Sequence, residues 1–159
     1  EGATEGETTM GQTLTCLHYH LIFSTKNRLP QITPDLRQRL YDYMGGIIKG
    51  ERGILFDAGG TEDHVHLLAS FPAHPSVADF LRLIKTNSSK WVHETFAQHR
   101  AFAWQSGYGA FSVSRSNDVG VRQYISTQEE HHRQTTFQAE FLEFLRRHEI
   151  PYDERYIWE

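Results

Sequence analysis

Two histidines one residue apart, His64 and His66, lie in the run Asp63-His-Val-His-Leu-Leu68. In a β-strand successive side chains alternate faces, so both imidazoles project to one side and Val65 to the other. Imidazole is a borderline donor for divalent ions, and two on one face make half of a metal site. Further along, Tyr124-Ile-Ser-Thr-Gln128 places a phenol and an amide four residues apart, about one turn from each other on a helix. The Gln128 carbonyl oxygen suits a third ligand position for Mg²⁺ or Mn²⁺ beside two imidazoles. A phenol ionises near pH ~10, so Tyr124 acts as a nucleophile only where a nearby cation favours its phenolate. Each residue alone has an ordinary structural use. Chemistry requires that the chain bring the two stretches together.

The intervening pattern shows how it does so. Leu14 to Ser24 alternates, with Leu17, Tyr19, Leu21 and Phe23 on one face and Cys16, His18, His20 and Ile22 on the other, which predicts a half-buried strand. Thr33-Pro34-Asp35 reads as a helix start, with a capping hydroxyl, proline at the first helical position and an acid in the first turn, and Leu36, Leu40, Met44, Ile47 and Ile48 recur at helical spacing until Gly50 and Gly53. Ile54-Leu55-Phe56 reads as a second strand, Gly59-Gly60 as a tight turn, and Glu62 to Phe71 as the third strand. Ser76, with Asp79 three residues on, is a capping box opening a long amphipathic helix through Phe80, Leu81, Ile84, Ser88, Trp91 and Thr95. Short extended pieces follow around Gly107 and Gly109. Asn117-Asp118 is expected to cap a helix running to about Arg133, and Thr136 to open another reaching about His148, before an acidic, aromatic tail.

Strand–helix–strand–strand–helix–strand is the ferredoxin-like order, so an α+β fold is expected, with an antiparallel sheet of ferredoxin-like or RRM-like type. Its first and third strands are then central neighbours. One sheet face packs on the two early helices; the other gathers His18, His20, His64 and His66, and the late helices, the one bearing Tyr124 among them, cover it.

Composition adds bounds. The 159 residues carry a formal charge of −4, but residues 1–9 hold three acids and residues 148–159 hold four against one arginine. The body between has 15 Lys+Arg and 13 Asp+Glu, so net charge does not argue against a polyanionic partner. Apolar runs fall far short of a membrane span, and the first nine residues have neither the basic head nor the apolar stretch of a leader. Residues 1–11 read as a disordered tail or an added remnant with Met10 as a plausible native start, and residues 12–159 as a single domain. A lone Cys16, expected in a strand as a small buried residue, forms no internal disulfide, which suits a reducing cytoplasm.

At this point the chain resembles a known family, the single-tyrosine HUH transposases of small bacterial insertion sequences and their relatives, the REP-associated tyrosine transposases. The resemblance is carried in order by His20-Leu-Ile-Phe-Ser-Thr-Lys26-Asn-Arg28, Asp63-His-Val-His-Leu-Leu68, Ile84-Lys85-Thr-Asn-Ser88-Ser-Lys-Trp91 and Trp104-Gln105-Ser-Gly-Tyr108-Gly-Ala-Phe111, then by Tyr124-Ile-Ser-Thr-Gln128-Glu-Glu-His131-His132 and the closing Tyr152-Asp-Glu-Arg-Tyr-Ile-Trp158. It implies that His64, His66 and Gln128 bind Mg²⁺ or Mn²⁺ and that Tyr124 is the nucleophile. It implies attack on single-stranded DNA at subterminal hairpins, through a 5′-phosphotyrosine link and a free 3′-hydroxyl, by a homodimer in which the tyrosine helix acts either within its own subunit or, as is usual for such enzymes, by completing the other's site. A domesticated hairpin-binding regulator with the same fold and little transposition is the alternative; a replication or mobilisation nickase and a hydrolytic metallophosphoesterase fit the residue set less well.

Around this set, His20 is expected beside the metal face, orienting a ligand or phosphate, and His131 near Tyr124 by helical projection. Lys26, Arg28, Lys85, Lys90, Arg115 and Arg122 are candidate phosphate contacts, Trp104 and Tyr108 candidate stacking platforms for unpaired bases, and Gly120 a candidate hinge.

Overall fold

In the computed structural model, which describes residues 12–159, four strands form one antiparallel sheet in the order β2-β3-β1-β4. The strands are β1 (His18–Ser24), β2 (Ile54–Gly60), β3 (His64–Ser70) and β4 (Gly109–Val113). Helix α1 (Pro34–Gly50) links β1 to β2 and α2 (Val77–Thr95) links β3 to β4, the expected ferredoxin-like order. Three shorter helices follow, α3 (Asp118–Ser126), α4 (Gln128–His131) and α5 (Phe137–Arg147).

Strand alternation divides the apolar residues between two cores. Leu21 and Phe23 of β1 with Val65, Leu67 and Ala69 of β3 pack beneath α1 and α2, against Leu36, Leu40, Met44, Phe80 and Ile84. On the opposite face Ile22 and Phe111 meet Phe137, Phe141 and Leu145 of α5, with Trp158 of the tail packed on them. Burying side chains of this size is the main stabilising term, about 1.5–3 kcal/mol each. The second core is small because the rest of its face is histidine.

The structure departs from the sequence reading in five places. The first strand begins at His18, whose partner Ser70 ends β3, so the residues before it have no ladder to join; Leu14 and Cys16 are exposed. Gly59 and Gly60 are the last residues of β2 rather than a turn, which falls at 61–63. Gly59 is needed for a close approach: an added Cβ would lie 2.4 Å from the Ile125 carbonyl oxygen, where α3 crosses β2. The expected single helix after Asn117 is broken at Thr127 into α3 and α4. Asn117 makes no side-chain cap, since it belongs to the preceding 3₁₀ turn, and α3 is anchored instead by Asp118, whose carboxylate lies 2.8 Å from His18 Nδ1 on β1. The Ser76 and Thr136 caps form as read, accepting from the amides of Asp79 and Ala139, whereas Thr33 makes no side-chain cap, its hydroxyl lying 3.3 Å from His99 Nε2 instead. The tail reading for residues 1–11 lies outside the described residues.

Candidate active site

The register of the central strands fixes the histidines. Ser24 pairs with His64 and Ile22 with His66, so both imidazoles stand on the face under α3–α5, fully buried. His64 Nδ1 donates to Asp63 Oδ1 at 2.7 Å, with the Thr61 hydroxyl 3.1 Å away, an arrangement that fixes the ring and leaves Nε2 bare toward the interior. Burial pushes the Asp63 carboxyl up, but the His64 and Thr61 hydrogen bonds outweigh it and hold the group below the usual carboxylate range.

His64 Nε2 faces Gln128 Oε1 at 3.1 Å. Gln128, 1 % exposed, is oriented by its other end, where Nε2 donates to Glu140 Oε2 at 3.2 Å. Turning the amide over would aim its oxygen at that carboxylate. An imidazole nitrogen and an amide oxygen are therefore held face to face, an arrangement that a shared cation, or a second proton on His64, reconciles.

His66 Nε2 donates to Glu140 Oε1 at 2.9 Å, and its Nδ1 accepts from His20 Nε2 at 2.8 Å. Burial holds His66 neutral, down to about 4, against the opposing pull of Glu140. Burial, reinforced by His66, takes His20 down to about 3. Neutral imidazoles are the form that ligates metal.

Glu140 is the hub. Its side chain is 2 % exposed, and Oε2 accepts the Tyr124 hydroxyl and lies 3.2 Å from His132 Nε2 and 3.3 Å from His131 Nε2. Burial disfavours its charge, yet the close approach of His132 and the bonds from His66 and Tyr124 prevail and hold the carboxyl far below the ordinary range. Conversely, burial and then Glu140 push the Tyr124 phenol well above its usual value. His132 Nε2 is buried and close to Glu140 but makes no aligned hydrogen bond. One donor atom from each of His64, His66, His132 and Glu140 lies within 4.8 Å of the others. Converging nitrogen and oxygen donors, an orphaned ring nitrogen and two opposed lone pairs fit a divalent cation.

The model of the family described as "Transposase IS200 like" matches residues 13–128 of this sequence. The chain belongs to that family. The transposase of insertion sequence IS200 from Salmonella typhimurium is 26% identical over 116 residues, covering 69% of this chain and 75% of the relative. The ISDra2 transposase TnpA of Deinococcus radiodurans is 25% identical over 117 residues, covering 70% and 84%. Among solved structures, a protein from Deinococcus radiodurans R1 assigned as a transposase superposes with a TM-score of 0.59 at 24% identity, over 76% of this chain and 98% of its own. A REP-associated tyrosine transposase bound to a REP hairpin superposes with a TM-score of 0.56 at 15% identity, over 77% and 74%. Both structural likenesses concern the fold.

In this IS200-like transposase the residues singled out from sequence fall into two groups. His64, His66, Gln128, Tyr124, His20 and His131 converge on one buried cluster, although the helix break means that Gln128 reaches it from α4 and Tyr124 from α3. The cations do not converge. Lys26 and Arg28 follow β1 beside the His64 end, where Arg28 stacks on Trp158 at 5.5 Å; Arg115 follows β4 at the opposite end, the His18 end, of the sheet. Arg122 lies 3.8 Å from Asp57, and Lys90 pairs with Glu94 at 3.9 Å. Lys85 donates to the carbonyls of Ser106 and Gly107 at 3.1 and 2.6 Å and is lowered by burial to about 8, so it ties α2 to the loop before β4. Trp104 and Tyr108 line a cleft with Lys85, Trp104 anchored by a 3.0 Å bond to Ser88. Gly120 lies within the first turn of α3 with open space around it.

Sequence reading missed Glu140, His132 and the orienting role of Asp63. The signal for Glu140 was available: it sits three residues after Phe137 and four before Phe144, an acid on the apolar stripe of α5.

Proposed function

We propose that this IS200-like transposase cleaves and rejoins single-stranded DNA at subterminal hairpins, with Tyr124 as nucleophile and Mg²⁺ or Mn²⁺ as cofactor. The observation that carries the reading is the Tyr124 hydroxyl bonded to a buried carboxylate that also touches His66, inside a cluster completed by His64 and Gln128.

His64, His66 and Gln128 would hold a divalent cation, which would supply Lewis-acid stabilisation of charge on the scissile phosphate. The protein supplies the rest. Asp63 and His20 fix the rings of His64 and His66, which are fully buried beneath the late helices. Tyr124 Oη bonds to phosphorus as the bond from phosphorus to the 3′-oxygen breaks; the phenol gives up one proton and the 3′-oxygen takes one up. The product is a 5′-phosphotyrosine and a free 3′-hydroxyl. Attack by a 3′-hydroxyl reverses the exchange without a nucleotide cofactor, because the phosphodiester's energy is kept in the tyrosine ester. A solved neighbour of like fold holds a REP hairpin, which supports structured DNA as the ligand. The homodimer and the cytoplasmic setting belong to the same proposal, as does one working unit over residues 12–159. Among the described residues no helix is long and apolar enough to cross a membrane.

Single-stranded oligonucleotides from the flanks of the gene, incubated with Mn²⁺ and run on a denaturing gel, test this. The expected result is a metal-dependent protein–DNA adduct that disappears in Tyr124→Phe and His64→Ala. Tight hairpin binding with neither adduct nor cleavage favours the regulator instead, and cleavage surviving in Tyr124→Phe removes the nucleophile assignment.

A further inference from the structure

Glu140 lies on α5, beyond the stretch matched by the family model. We propose that it is the anionic ligand of the divalent cation at the His64–His66–Gln128 site, an inference that rests on the metal-dependent reading above.

Three observations carry it. The first is spacing. Two ligands about 2.1 Å from one octahedral ion stand about 3 Å apart when they meet at a right angle. His64 Nε2 to Gln128 Oε1 is 3.1 Å, His66 Nε2 to Glu140 Oε1 is 2.9 Å, and His64 Nε2 to Glu140 Oε1 is 3.7 Å. Glu140 Oε1 thus stands where a shared polyhedron with His64 and His66 would place a ligand, the His66 ring proton moving to Nδ1, where His20 Nε2 can accept it. The second is charge. Two imidazoles and an amide bring none, whereas Mg²⁺ and Mn²⁺ favour anionic oxygen. Glu140 brings a full negative charge to a site from which solvent is excluded, its side chain being 2 % exposed. The third is division of labour between its oxygens. Oε1 faces the two histidines, while Oε2 accepts from Gln128 Nε2 at 3.2 Å and from the Tyr124 hydroxyl. A single carboxylate can therefore ligate the cation, point the Gln128 carbonyl at it, and hold the nucleophile beside it. The sequence beyond the family match would then set metal affinity.

The test is Mn²⁺ binding followed by the electron paramagnetic resonance signal of the free ion, on wild type, His64→Ala, Glu140→Gln and Glu140→Asp, with circular dichroism confirming the fold. Glu140→Gln is expected to weaken Mn²⁺ binding about tenfold or more. Calorimetry with Ni²⁺, which leans more on imidazole, is expected to show a smaller loss. Mn²⁺ affinity within twofold of wild type overturns the inference, and so does an equal loss for both ions, which marks a positioning role only. Should Glu140→Gln fail to fold, Glu140→Asp decides by the same criteria. If wild type itself binds no Mn²⁺, the metal-dependent reading fails and this inference with it; Mn²⁺ binding lost in His64→Ala but kept in Glu140→Gln defeats the inference alone.

Discussion

Tyr124 donates its hydroxyl hydrogen to Glu140, a partner sixteen residues further along the chain and on another helix. The bond makes the resting phenol a poorer nucleophile than a free tyrosine, since burial and then the carboxylate's charge both resist loss of its proton. Removing that charge should lower the phenol's ionisation. In metal-free protein, the ultraviolet difference titration between each protein and its Tyr124→Phe partner isolates this one tyrosine. The Tyr124 signal is expected to appear at lower pH in Glu140→Gln than in wild type, and an unchanged midpoint contradicts the coupling.

Gly59 admits α3 onto the sheet. A methyl group there would lie 2.4 Å from the Ile125 carbonyl oxygen, one residue after Tyr124. Gly59→Ala is expected to cost about 1–3 kcal/mol through overpacking and to reduce adduct formation by displacing Tyr124. Gly120→Ala, where the added methyl meets open space inside a helix, is expected to stabilise by about 0.5–1 kcal/mol. Denaturant melts of both variants check the opposite signs.

The buried imidazoles predict acid sensitivity. His20 and His66 ionise in the fold at about 3 and about 4, against 6.5 in the unfolded chain. Above pH 6.5 neither affects stability. Below it the unfolded chain takes up protons that the folded chain refuses, so stability falls with pH, each group removing up to about 1.4 kcal/mol per unit until its folded value is reached. His132 runs the other way: burial lowers it, but Glu140 more than compensates, so its contribution is complete below pH 6.5 and fades as pH rises through its folded value. The melting temperature of metal-free protein should drop between pH 6.5 and 4, and drop less in His20→Gln. A flat profile would contradict the neutral assignment.

Because Tyr124 reaches the histidines of its own chain, Tyr124→Phe mixed with His64→Ala should give no adduct above that of either alone. Restored adduct would show that the working tyrosine crosses between subunits.

Much of this site was legible because strand alternation is rigid. Once β1 and β3 are neighbours, His20, His64 and His66 have no choice of face, and the helices left over must cover them. Gln128 was legible by spacing alone, although the break at Thr127 carries it on a separate turn. What escaped depends on contacts distant in sequence. Glu140 owes its role to α5 docking on β1 and β3, and nothing local distinguishes it from a solvated acid except its apolar neighbours. The Gly59-Gly60 turn failed because the demand for glycine comes from α3, not from the local chain direction. Cys16 and Leu14 alternate properly but lie beyond the last partner on β3. The scattered cations show the converse: charge in sequence says little about where a surface gathers it.

The central claim is the covalent link. Wild-type protein incubated with Mn²⁺ and its hairpin-bearing single strand, then digested with nuclease and protease, should yield on tandem mass spectrometry a peptide carrying a 5′-nucleotide phosphate on Tyr124. A nucleotide on another residue, or cleaved DNA with no modified peptide, would contradict the account.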